Sequence, residues 1–404
     1  MRQGPPLDGK TTIKDGSVLV HAAPAGGELL YLTAGLTGID AGPGASSRRA
    51  YRLLWDLLAR HNCRVVHERV FGSLAARKDI LDARDRVIAS SPAADAGVLT
   101  YIQGRPCRGE GLAGVAVLAV RDDGSGNGVQ PVLDGDGRTI GRAWRLNGGT
   151  FLILQNVHGA DGNEPAERAA QARRMFDRVD GVLKAWGGAY RDVVRTWVYL
   201  SGILAWYDEF NSVRNDEYRR FGIMPDLAGP PTAGPLRLPA STGIGGDNPM
   251  AAACAMDLLA VIEPGRCRLE IEQMRNARQR DAFAYGSAFS RGACLRGREA
   301  VSVLVSGTAA VDEAGNTACP GDFRRQVLRT FDNVEALLRE AGATLADICQ
   351  ANVFLKRGED LDVYHELAAE RGLGDMPAVC MKADICREDL VFEMDGVAVA
   401  APRD

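Results

Sequence analysis

The sequence predicts an α/β protein built from three tandem copies of one small unit. Three observations point there. The chain has 404 residues, more than a single hydrophobic core usually serves. One order of elements recurs three times, at a period longer than solenoid repeats use. Each copy also holds a long helix with an apolar stripe on one face and charge on the other.

Each unit starts with a β-rich run ending in glycine and a turn: "ELLYLTAGLTG" at 28–38, "GTFLILQNVHG" at 149–159 and "AVSVLVSGTAAVD" at 300–312. A long amphipathic helix follows, from about Ser46, Pro165 and Gly321. In the third copy Val327, Phe331, Val334 and Leu338 recur at helical spacing, with Arg and Asp opposite. Next comes a strand, "RVVHERVFGSL", "VVRTWVYLSGI" or "ICQANVFLKRG", whose alternation sets one face on the helix and the other on a neighbouring surface. A second helix begins near Ala75, Leu204 and Glu359. A loop and a closing β-rich run end each unit: "LAGVAVLAV", "AACAMDLLAVIE" and "DLVFEMDGVAVA". The units are placed at 15–122, 138–264 and 282–402. The Gly/Asp-rich stretch 121–137 and the segment after Pro264 are the expected boundaries. The glycines of 121–137 do not sit between a strand and a helix, so a hairpin or linker is expected there, not a phosphate cradle.

Charged residues make up 25% of the chain and the formal net charge is -4. That balance does not suggest an electrostatic nucleic-acid binder or a membrane-surface protein and suits a small, locally recognised ligand. The first residues, "MRQGPPLDGKTTIKDGS", hold no apolar signal core, and no uncharged apolar run approaches the roughly 18 residues of a membrane helix. A cytoplasmic location is expected. The nine cysteines are scattered, with no C-x-x-C pair and no zinc-spaced quartet, and are read as reduced thiols. No metal or organic cofactor is indicated.

The repeated element order resembles the RidA/YjgF superfamily, whose members form trimers with ligand clefts between subunits. Three such units in one chain imply an intramolecular pseudo-trimer, with sheets inside, helices outside and three unlike clefts. A ring already closed within the chain implies a monomer or weak homodimer. Imine deaminases of that superfamily carry an arginine before the last strand. Val379 and Ser241 stand at that place in the third and second units, which turns the reading away from ordinary imine hydrolysis.

A narrower resemblance covers roughly residues 190 to 402. "IEQMRN", "AYGSAFSRG", "LVSGTAAVDEAGNTACPGDFRRQ" and "ADICREDLVFE" follow one another as in the chorismatases, and "WYDEFNSVRNDEYRRF" is similar to that family's Tyr-x-x-Phe-x-x-x-Arg helix. The chain differs in reading "QMRN" for Asn-Pro-Arg-Gln and "TWVYL" for Trp-Asn-Tyr, in lacking a Pro-Arg-Ser-Pro stretch, and in carrying an extra unit in front. The resemblance implies a hydrolase or lyase that releases pyruvate from chorismate or a related enol-pyruvyl acid, giving a hydroxybenzoate or a dihydroxycyclohexadiene acid.

Such a dianionic substrate needs cations for two carboxylates and an acid to protonate the enol carbon. Glu393 suits the acid, because a carboxyl on a mostly apolar strand loses solvation and can hold its proton near neutral pH. Arginine clamps carboxylates because its planar fork bonds both oxygens. The matched positions are Arg387, Arg275, Arg291 and Arg214. Cys386 either packs as a small apolar group or, as the resemblance implies, stands beside the ring in the hydroxybenzoate-forming branch. Thr308 points a hydroxyl into a cleft or closes a turn, and Gly307 could leave room for a ring. Each of these has a plainer reading: a strand-edge carboxylate, surface cations, a turn.

The first unit closes with "GRPCRGEGLAGVAVLAV". No acid lies in its last strand, so it is expected to lack the Cys-Arg and glutamate signature and to be structural, though Arg105 and Arg108 could line another cleft. His21, His61, His67, His158 and His365 lie apart in sequence and suggest no cluster. Two other readings stay open at this point: a small-acid binding protein without turnover, and an enzyme of the same fold with a different substrate.

Overall fold

The fold is seen in a computed structural model that describes residues 9–38, 42–91, 97–122, 128–146, 148–161, 167–224, 238–262 and 269–402. The core of the 121–137 stretch, 123–127, and the segment 263–268 lie outside the described residues.

The first unit comprises β1 (Thr11–Asp15), β2 (Val18–Ala25), β3 (Leu29–Leu36), α1 (Pro43–His61), β4 (Cys63–Gly72), α2 (Arg77–Ser90), β5 (Thr100–Gln103) and β6 (Leu112–Arg121). The second comprises β7 (Gln130–Leu133), β8 (Thr139–Leu146), β9 (Gly149–His158), α3 (Arg168–Ala185), β10 (Val193–Leu200), α4 (Tyr207–Arg220), β11 (Ala240–Gly245) and β12 (Cys254–Ile262). In the third are β13 (Glu270–Met274), β14 (Gly292–Arg296), β15 (Val301–Ala309), α5 (Phe323–Glu340), β16 (Ile348–Leu355), α6 (Leu361–Glu370), β17 (Ala378–Lys382) and β18 (Phe392–Ala400).

Three six-stranded sheets result, with the orders β1-β2-β3-β6-β4-β5, β11-β10-β12-β9-β8-β7 and β13-β14-β15-β18-β16-β17. Read in the same direction, the three orders are identical. Each unit therefore holds more strands than the sequence suggests: an N-terminal hairpin, and a short edge strand that runs parallel to its neighbour (β4 with β5, β10 with β11, β16 with β17). The sheets accordingly begin at Thr11, Gln130 and Glu270, ahead of residues 15, 138 and 282. The sequence does not signal these extra strands because β7 and β13 are short and carry Gln, Pro and Glu.

β10 and β16 are buried along their whole length. Both faces are covered, one by a helix and the other by neighbouring sheets, which is why they read as near-continuous apolar runs. Val327, Phe331, Val334 and Leu338 of α5 pack on the third sheet as the periodicity indicates, and Asp322 caps that helix by accepting from Arg325 N. Each unit has its own helix-side core. A fourth apolar cluster mixes Tyr31, Leu118, Trp144, Phe151, Leu295 and Val397 from all three sheets. The sheets thus face inward around a pseudo-threefold axis with helices outside, as the repeat implies.

A side chain at each junction helps to tie the units together near the axis. A register shift in the ladder with the closing strand brings His67, Arg195 and Gln350 to matching positions on β4, β10 and β16. His67 Nε2 meets Asp257 Oδ2 at 2.9 Å, and Arg195 Nη2 meets Asp395 Oδ2 at 3.1 Å. At the third junction the residue in register with those two aspartates is Ala116. Gln350, a neutral donor, there bonds the carbonyls of Leu32 and Val117 at 2.9 and 3.1 Å. A cation at that position would have been left buried without a partner, at several kcal/mol.

Candidate active site

A cavity of about 180 Å³ lies at the junction of the second and third units. Its walls come from the start of α4 (Tyr207, Asp208, Asn211), the loop before β14 (Tyr285 to Ser287, Phe289 and Arg291), the end of β15 (Gly307, Ala309), the loop before β18 (Cys386, Arg387, Leu390) and Glu393 on β18. The two units meet here through their backbones. Ala240 of β11 bridges Ser290, and Ser306 Oγ donates to Ser290 O at 2.6 Å while accepting from Ser241 N at 2.9 Å.

Glu393 is 4% exposed. Burial raises its pKa from 4.5 to about 8; the neighbouring Asp395 pushes in the same direction, and Arg291 and Arg195 oppose less strongly. The carboxyl therefore keeps its proton at neutral pH, as lost solvation dictates. Asp395 remains tied into the junction: Asn352 Nδ2 donates to its Oδ1 at 2.7 Å, and Thr242 Oγ1 and Arg195 Nη2 both donate to Oδ2. That network occupies Arg195, which would otherwise be a partner for Glu393.

Arg291 is buried, and its Nη2 donates to Tyr285 Oη at 2.7 Å and to Arg280 O at 2.5 Å. Its guanidinium lies 5.5 Å from the Phe289 ring centre and 5.7 Å from that of Tyr285. Arg387 donates to Gly315 O at 3.0 Å and sits 5.3 Å from the same Tyr285 ring. Tyr285 thus holds both cations beside the cavity. Burial, and next Glu393, push the Cys386 thiol up to about 12, so it is a neutral thiol and not a thiolate.

Glu393, Cys386, Arg387, Arg291 and Gly307 are brought together. Cys386 and Arg387 lie in the loop before β18. Two readings need correction. Arg275 is not among the lining residues: its half-exposed side chain turns toward Asp281 at 3.5 Å. Thr308 does not line the cavity either; its buried hydroxyl donates to Ser306 O at 2.8 Å and closes the end of β15. Gly307 lines the cavity and makes room for the acid, since a Cβ there would overlap Glu393 Oε1. Arg214 stands behind the wall, fully buried, donating to Asn211 Oδ1 at 2.6 Å and facing Phe289.

Tyr207, Asn211, Tyr285 and Phe289 carry no assignment from the sequence, although Tyr207, Asn211 and Arg214 sit at helical spacing on one face of α4, and Tyr285 and Phe289 shortly precede Arg291 in the loop. Among the described residues no cluster of His, Cys, Asp and Glu could hold a metal ion, and no helix is long and apolar enough to cross a membrane.

Comparison with known proteins gives a consistent picture. A family model described as Endoribonuclease L-PSP matches residues 282–400, the third unit. A 3-hydroxybenzoate synthase of Streptomyces hygroscopicus is 30% identical over 290 residues, covering 65% of this chain and 78% of that protein. A chorismatase of the same organism is 28% identical over 228 residues, covering 52% of this chain and 62% of its own. Among solved structures, a chorismatase crystal structure superposes with a TM-score of 0.59 at 21% identity, over 83% of this chain and 93% of that one, which establishes the shared fold. With the triplicated fold and the extent of the first of these matches, the chain belongs to the chorismatase family of enzymes within the RidA/YjgF superfamily.

Proposed function

We propose that this enzyme releases pyruvate from chorismate, or a close enol-pyruvyl relative, in the cleft between its second and third units. The observation that carries the reading is one buried carboxyl held neutral at pH 7, Glu393, in a cavity with two arginines, Arg291 and Arg387. A dianion with an acid-labile enol ether asks for that combination: two cations for two carboxylates, and a proton source that is not itself charged.

Glu393 gives its proton to the terminal methylene of the enol ether. The double-bond electrons form the new C–H bond, and the ether carbon becomes an oxocarbenium centre. Water adds there, its spare proton returns to the Glu393 carboxylate, and the hemiketal collapses. The ring C–O–C link breaks at the pyruvyl carbon, freeing pyruvate and leaving the oxygen on the ring. General acid catalysis of this kind contributes about 10²–10⁴-fold. Arg387 and Arg291 clamp the carboxylates, and Arg214 and Asn211 hold the wall behind them. The Cys386 thiol, kept protonated by burial, and the match to a 3-hydroxybenzoate synthase support a hydroxybenzoate product. In that outcome the ring aromatises by losing one water, which balances the water added.

The test is incubation of the full chain with chorismate, following pyruvate by a coupled assay and the ring product by chromatography against 3-hydroxybenzoate. Stoichiometric pyruvate with a hydroxybenzoate supports the reading. Absence of pyruvate release rejects it.

A further inference from the structure

A larger cavity, about 290 Å³, opens at the junction of the third and first units, built from the same parts of the repeat. Its walls include Cys107 and Arg108 from the loop before β6, and Leu361, His365 and Ala368 of α6. The correspondence is residue by residue. Cys107-Arg108 repeats Cys386-Arg387, and Gly114, at the same spacing, pairs with Phe71 as Glu393 pairs with Phe354. Counted from the first residue of each helix, Leu361, His365 and Ala368 replace Tyr207, Asn211 and Arg214. His21, just before Ala22 on β2, stands where Arg291 stands before β14. The first unit therefore does carry the Cys-Arg pair, contrary to its sequence reading; only the acid is missing. His21 and His365, far apart in sequence, meet in this one cavity.

The substitutions change the chemistry in one direction. A side chain at Gly114 would run into Ala34 O and Val379, so the acid is not merely absent but has no room. Two of the arginines become His21 and Ala368. Burial lowers the pKa of His21 and of His365, leaving both imidazoles neutral at pH 7. The cation retained is Arg108, whose partner Asp362 is largely exposed, a surface pairing that contributes little and is readily exchanged for a buried carboxylate. Leu19, Leu361 and Tyr364 supply apolar wall, and the volume sits near the lower end of small-ligand pockets, about 300 Å³.

We propose that this cleft is a second binding site, without turnover, for a small ring bearing one carboxylate, the chemical class that remains after pyruvate has left. The choice of ligand rests on the reaction proposed above; the existence of the site does not. Arg108 takes the carboxylate, the neutral imidazoles face the ring hydroxyl, and Gly114 offers no proton.

The test uses the full chain carrying Glu393→Gln, so that added chorismate is held and turned over about 100-fold or more slowly, and isothermal titration with 3-hydroxybenzoate. With chorismate saturating the cleft between units two and three, one equivalent of 3-hydroxybenzoate is expected still to bind. Thr37→Trp, at an exposed position on the cavity rim, is expected to weaken that binding at least 10-fold, and Arg108→Ala likewise. Either change in the otherwise wild-type enzyme leaves pyruvate release as before. Absence of binding to the saturated protein, or binding indifferent to Thr37→Trp, overturns the site; indifference to Arg108→Ala overturns the carboxylate assignment. If chorismate neither binds nor yields pyruvate, the proposed reaction fails, while binding of 3-hydroxybenzoate that Thr37→Trp weakens still upholds the second cleft.

Discussion

Glu393→Gln is expected to have two opposite effects, loss of turnover and gain of stability at alkaline pH. Gln keeps the shape of the buried side chain and removes both the proton source and the latent charge, so turnover should fall by about 100-fold or more with little change in affinity. The stability effect follows from linkage. The folded carboxyl holds its proton up to about pH 8, while the unfolded chain releases it near 4.5. Between those values the folded state binds more protons, so wild-type stability falls as pH rises. At about 1.4 kcal/mol per pH unit, this single group removes about 5 kcal/mol over the whole window, of which about 3 kcal/mol lies between pH 6 and pH 9. Urea unfolding of both proteins at those two pH values isolates the effect, because the buried cysteines and tyrosines titrate alike in each and cancel in the difference. The Gln protein should gain on wild type by about 3 kcal/mol between pH 6 and pH 9. Parallel losses in the two proteins would show that Glu393 ionises normally, and the acid role would fall with it.

Asp395→Asn should move the alkaline limb of the pH–rate profile to lower pH, because it removes a charge that keeps Glu393 protonated and frees Arg195 to favour the carboxylate. The same variant should lose about 3–5 kcal/mol of stability through the unpaired buried Arg195; an unmoved limb would separate Asp395 from the acid. Arg387→Ala should raise KM about 10- to 100-fold with kcat little changed, as expected for loss of one charged hydrogen bond worth about 1.5–3 kcal/mol. A fall in kcat alone would assign Arg387 to the chemical step instead. Light scattering should return the mass of one chain at micromolar concentration, since the strand edges that would join separate copies meet within the chain; a stable trimer would contradict this.

The repeat was legible in the sequence because its signals are local. Helix stripes such as Val327 to Leu338 and buried strands such as "VVRTWVYL" carry their own periodicity, and three copies in one order leave few arrangements that bury every face. Glu393 and Arg387 were legible for the same reason, as a short run of chemistry-bearing residues in an apolar context. What folding decided lies between the units. Arg275 and Arg291 look equivalent in sequence, yet one turns to Asp281 and the other to the cavity, because the loop before β14 folds Tyr285 over only one of them. Glu393 owes its proton partly to Asp395, whose charge is held in place by Arg195 from another unit, 200 residues away. The pairing of His67 with Asp257 spans 190 residues. Arg105 and Arg108 were both legible as candidates for another cleft, but that Arg108 and Cys107 line one and Arg105 does not was settled only where the last unit closes on the first. Periodicity reports which face of an element is buried; it carries no information about which other element covers it, and the clefts of this enzyme are made wholly from that second choice.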